Sequence, residues 1–101
     1  SFAGSYVSDL LGEAIVSASD GKLRLTLERT EAVLALEPRR DDPTLFQARL
    51  LPEAGYESML AVIGPDPLLQ LRFERGIAGR IERMRWLNPE LPHLFVRQAA
   101  P

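Results

Sequence analysis

The 101-residue chain has no cysteine, which removes both a disulfide framework and a thiolate metal site and fits any cellular compartment. Histidine is nearly absent too. His93 is the only one, set between Pro92 and Leu94, so a zinc site lacks its usual ligand set and Ser-His-Asp catalysis would rest on a single imidazole with no Gly-x-Ser-x-Gly elbow. It reads as a surface or turn residue. No apolar run approaches the roughly 20 residues of a spanning helix, and no charged, apolar, small-residue leader opens the sequence, so no membrane span is expected. The 7 glycines are scattered and form neither a Gly-x-Gly-x-x-Gly nor a Walker pattern, so no nucleotide cradle is implied. No cofactor is expected.

Neither sign of charge dominates. The 12 basic and 14 acidic residues leave a net charge of −2 and a pI near 5.4, which argues against nucleic acid as a partner. The balance is uneven: residues 1–67 carry 6 basic and 11 acidic groups, residues 68–101 carry 6 and 3. The C-terminal third is locally basic, as a solvated strand face or a docking surface for an acidic partner.

With 46% hydrophobic residues there is material for one core and one domain, spanning 1–101. Its organising stretch is Phe2 to Glu28, where two alternating runs meet at Ser19-Asp20-Gly21. Asp-Gly between such runs is a hairpin signal, because the turn that matches strand twist needs positive φ, which glycine adopts freely. Lys22, Arg24, Thr26 and Glu28 then interleave with Leu23, Leu25 and Leu27, pointing alternately to water and to a core.

Strands are expected over Phe2–Ser8, Glu13–Ala18, Lys22–Glu28, Val33–Glu37, Thr44–Leu50, Ser58–Gly64, Leu69–Glu74, Arg80–Leu87 and Leu94–Arg97. A helix from Arg29 to Glu37 competes with the fourth on propensity. Phe46 should point inward. In the eighth strand the period slips, and one bulge between Glu82 and Met84 would put Ile81, Met84 and Trp86 on one face. Turns intervene at Asp9–Gly12, Pro38–Pro43, Pro52–Glu57, Pro65–Pro67, Arg75–Gly79 and Asn88–Pro92. Eight or nine short strands at intervals near ~10 residues predict an all-β fold, and consecutive hairpins favour a small antiparallel up-and-down barrel, whose closure leaves no exposed edges.

Candidate chemistry is sparse. Ser19-Asp20-Gly21-Lys22 matches Ser-x-x-Lys in letters, but that chemistry needs the pair one helical turn apart and here it spans a hairpin. Asp41-Asp42 lacks the spaced acids and turn glycine of a calcium loop, and Arg39 and Arg40 compete for its charge. Trp86, with Met84 and Tyr56, lines either a ligand cavity or the core; a filled core is favoured, since the inward positions show no converging polar set. Arg72, Arg83 and Arg85 form an expected exposed row, whose planar donor forks suit carboxylates on a neighbour.

The punctuating residues, Phe2-x-Gly4-x-Tyr6, Gly12, Asp20-Gly21-x-Leu23, Phe46, Phe73 leading to Gly79-x-Ile81, and Phe95-x-Arg97, resemble the C-terminal domain appended to serine hydrolases of the β-lactamase and penicillin-binding type. The resemblance implies a lipocalin-like barrel beside an upstream catalytic domain. The barrel itself is non-catalytic and acts by packing, by shaping access to the active site, or by joining subunits, including as a homo-oligomer. That family usually has tyrosine where Phe2 stands. Phe2, Gly4 and Tyr6 already fall in a strand pattern, so an excised piece of a longer bacterial protein, periplasmic or extracellular, is expected. The alternative is a free-standing lipocalin-like binder of a small apolar molecule.

Overall fold

A computed structural model describes residues 2–53, 55–64, 66–67, 69–88 and 93–99. Eight strands follow in chain order: β1 (Gly4–Ser8), β2 (Gly12–Ser19), β3 (Lys22–Leu27), β4 (Val33–Pro38), β5 (Leu45–Leu50), β6 (Leu69–Arg75), β7 (Ile81–Trp86) and β8 (His93–Arg97). Each pairs antiparallel with the next, and β8 returns to β1 through Tyr6↔Arg97 and Val7↔Val96, so the sheet is a closed up-and-down barrel. The β2–β3 hairpin turns at Asp20 and Gly21, both with positive φ (53° and 76°). That is the primed geometry whose twist suits flanking strands.

Two-residue periodicity decides what lies inside. Ala14 and Val16, Leu34 and Leu36, Phe46 and Ala48, Leu71 and Phe73 are buried in alternation with half-buried or exposed neighbours. Phe46 is inward as expected, and Val33–Pro38 is a strand rather than a helix. On β7, Glu74 pairs with Arg83 and Arg75 with Ile81, leaving Glu82 as the extra residue. The parity resets there, so Ile81, Met84 and Trp86 share the inner face as the slipped period requires.

One expected strand is a helix. Residues expected as a strand over Ser58–Gly64 form α1 (Glu57–Ile63), seven residues long. Glu57, Met59, Leu60 and Ala61 are good helix formers, Glu57 sits where the dipole favours an acid, and proline at 65 and 67 discourages extension. Eight strands already close the ring, so this segment has no ladder to join. Strand β7 starts at Ile81 rather than Arg80, and β8 starts at His93, one residue before the expected Leu94. Of the expected turns, Ala54, Pro65 and residues 89–92 lie outside the described residues.

Ring closure creates two rims. The first carries the chain start and the β2–β3, β4–β5 and β6–β7 connections; the second carries the β1–β2, β3–β4, β5–β6 and β7–β8 connections, with α1 in the third of these. Between them the barrel is filled. Tyr6, Leu25, Leu71, Phe73, Met84 and Phe95 are fully buried, as eight strands enclose a space just wide enough for side chains.

The first rim is plugged by aromatic rings. The Phe2 ring lies tilted over Phe73 at 4.7 Å and edge-on to Phe46 at 5.3 Å, and the Tyr6 hydroxyl donates to the Phe2 carbonyl at 2.7 Å. Arg97 ties the seam: it donates to the carbonyls of Ala3 and Ile81, and its guanidinium lies 5.8 Å from the Tyr6 ring centroid. Gly4, at φ 156°, makes room for it, since a Cβ there would stand 2.9 Å from Arg97 Nε. Phe2, Gly4, Tyr6, Phe46, Phe73, Ile81 and Arg97 are all among the punctuating residues of the sequence. In the fold they form one connected latch that closes and plugs the barrel.

Candidate functional site

The arginine row is where the alternation puts it, on the outer face of β6 and β7. Arg72 and Arg85 are direct cross-strand partners, and Arg83 faces Glu74. Like charges placed opposite repel, and two acids offset them. Arg85 and Arg83 both donate to Glu74, through Nε at 2.8 and 3.0 Å, and Arg72 donates to Asp42 at 3.2 Å. Hydrogen bonds from Arg85 first, and then Arg83, hold the Glu74 carboxyl below the ordinary glutamate range despite partial desolvation. The Asp42 carboxyl is lowered chiefly by the Thr44 hydroxyl and N–H, at 2.7 and 3.0 Å, with Arg72 adding to it. Asp42 therefore organises its own loop and anchors Arg72. The row's donors are largely spent within the sheet.

A second basic feature lies along the seam. Beyond Arg83↔Val96 the β7–β8 ladder stops at the Glu82 bulge, and an open groove of about 970 Å³ runs between the starts of β7 and β1 and the end of β8. Arg75, Arg80, Arg83 and Arg97 line it against a single acid, Glu82, with half-exposed Val96 as its apolar element. Arg75 donates to the Gly79 carbonyl at 2.7 Å. Arg80 is exposed and makes no ion pair among the described residues. Ala3, Gly4 and Ser5 also line this groove, so the chain enters the barrel beside it.

The second rim is different. Trp86 and His93 are cross-strand partners facing inward, with Phe95 two residues along β8 on the same side. Their rings form a cluster, with centroids 5.2 Å apart for Trp86–Phe95, 5.4 Å for His93–Phe95 and 6.4 Å for Trp86–His93. Trp86 is 4% exposed, and its indole Nε1 and the His93 Nε2 are buried without a hydrogen-bond partner. Tyr56 belongs to the β5–β6 connection at the same rim, and its hydroxyl donates to the Thr30 carbonyl at 3.0 Å.

The sequence-derived candidates therefore divide three ways. Arg72, Arg83 and Arg85 come together, Trp86 lies in the core at the opposite face of the sheet, and Tyr56 braces a connection. Ser19 and Lys22 are the last exposed pair of the β2–β3 hairpin. His93, expected in a turn, instead opens a strand and turns a nitrogen inward. Its parity with Phe95 was the available signal, obscured by the prolines and glutamate before it. Among the described residues no group of three His, Cys, Asp or Glu could hold a metal, and no helix is long and apolar enough to cross a membrane.

No protein-family model, no curated protein and no solved structure matches the chain. The fold defines the class, a closed eight-stranded antiparallel barrel.

Proposed function

We propose that this barrel is a non-catalytic contact module, the accessory domain of a serine hydrolase of the β-lactamase and penicillin-binding type, docking through the groove beside β1. The observation that carries this reading is the groove itself, with four arginines to one acid on a chain whose overall charge is negative. A domain joined ahead of Ser1 would emerge at its edge. Arg80, exposed and without a carboxylate, is the donor fork free to meet one on that neighbour. Val96 and the adjacent exposed Leu94 add apolar area on the same strand.

The filled interior supports a role exercised from the outer surface. Side chains occupy the space along the barrel axis, and the Phe2 plug closes one rim. Reading the gene upstream of Ser1 is the first test, and the expected result is a helix-borne Ser-x-x-Lys with a Tyr-x-Asn partner. The second is an NMR titration of the labelled barrel with that upstream domain. Shifts confined to Arg80, Glu82, Val96 and Gln98, lost in Arg80→Glu, support the reading. An upstream region of another kind, or shifts centred on the Arg72–Arg85 face, overturns it.

A further inference from the structure

We infer that the outer face along the β1–β8 seam is an isologous interface for a second copy of this chain. One row of paired residues crosses four strands there: Glu13 on β2 faces Val7 on β1, Val7 faces Val96 on β8, and Val96 faces Arg83 on β7. All four side chains point away from the core, since their chain neighbours Ala14, Tyr6, Phe95 and Met84 are the buried ones. Val96 is 49% exposed, and Ile15 and Leu94, two residues along β2 and β8 on the same face, are exposed as well. The centre of this face is therefore apolar and open to water.

The charges at its two ends select the occupant. Glu13 accepts from the Ser5 hydroxyl at 2.6 Å and forms no ion pair among the described residues. Arg83 spends only its Nε, on Glu74, and its two terminal nitrogens donate to no described residue. The row thus reads acid, valine, valine, base. A two-fold axis along the seam, between facing copies, lays Val7 on Val96 of the second copy and Glu13 on its Arg83, and repeats both contacts in reverse. An isologous interface needs a patch that complements itself, which this row does and which a partner of other sequence would not require. Four strands about 4.8 Å apart and five residues at about 3.3 Å each give a footprint of roughly 300 Å² per copy. That size belongs to weak, transient association, populated at high protein concentration. The docking groove is lined by Arg83 and Val96 but by neither Val7 nor Glu13. This inference goes beyond that reading, and its experiment uses the chain alone, so either can fail without the other.

The test is sedimentation equilibrium of the 11.3 kDa chain, with 15N spectra recorded over the same range of protein concentration, from about 0.01 to about 1 mM. The expected result is an average mass climbing toward twice that of the monomer, with concentration-dependent shifts centred on Val7, Glu13, Arg83 and Val96. Glu13→Arg and Arg83→Glu, each with unchanged spectral dispersion, should weaken association about tenfold or more, because like charges then meet at both ends of the row. An equimolar mixture of these two variants should restore it, since the mixed dimer again sets a base against an acid at both ends. Val96→Asp changes a half-exposed side chain outside the core and should abolish association; it carries the test if Arg83→Glu, placed beside Glu74, fails to fold. A monomer mass throughout the range, shifts centred on another face, or a mixture no stronger than its components would overturn the inference.

Discussion

Replacing Gly4 by alanine tests the latch that closes the barrel. At φ 156° a Cβ is poorly tolerated, at about 1–2 kcal/mol. The added carbon would also stand 2.9 Å from Arg97 Nε and 3.1 Å from Nη2. The guanidinium can yield only by weakening its hydrogen bonds to the Ala3 and Ile81 carbonyls, bonds of a charged donor worth about 1.5–3 kcal/mol each. Reduced freedom of the unfolded chain returns about 0.4–1 kcal/mol. The net loss is about 2–3 kcal/mol, a fall in Tm of roughly 10–20 °C for a domain of this size. Urea denaturation of a four-member cycle isolates the cause. In an Arg97→Met background the same change should cost only the backbone component, about 1 kcal/mol, giving a coupling of about 1–2 kcal/mol. A Gly4→Ala cost below about 0.5 kcal/mol, or an equal cost in both backgrounds, would refute the latch.

Burial raises the Tyr6 phenol to about 12, against a smaller lowering by Arg97. The unfolded chain therefore loses this proton first, and stability falls as pH rises from 10 toward 12, by about 2–3 kcal/mol in all. Tyr6→Phe should flatten that alkaline limb in pH-dependent denaturation while costing about 1 kcal/mol at neutral pH through the lost bond to Phe2. Glu74 has the opposite sign: its folded pKa is lowered, so its contribution is present above the ordinary value of 4.5 and lost as pH falls through the folded one. Glu74→Gln should cost about 1 kcal/mol or less at pH 7 and flatten the acid limb; an unchanged limb would show the Arg83 and Arg85 bonds are not maintained in solution. Phe2→Ala removes a half-buried ring touching Phe46 and Phe73, so about 2 kcal/mol should be lost in thermal or urea melts. No measurable loss would mean the plug is not seated.

Much of the barrel was legible because its rules are local. Alternation marks Leu23, Leu25 and Leu27, Asp20-Gly21 marks a turn of one hand, and the slipped period between Glu82 and Met84 marks a bulge, each readable within a few neighbours. Glu57–Ile63 escaped because a segment of seven residues, mostly apolar, carries no period long enough to separate strand from helix. What settled it was a ring already complete without them. The arginine row was legible from parity, but its neutralisation by Asp42, 30 residues from Arg72, was not.

By itself the sequence determined which residues alternate inward and where most of the turns fall, since backbone sterics and burial act over short spans. Only the tertiary structure decided that β8 meets β1, that Arg97 spans the seam over Gly4, and that Trp86 and His93 face each other with unmet hydrogen bonds. Those pairings join residues far apart along the chain, and their geometry exists only once the ring has closed.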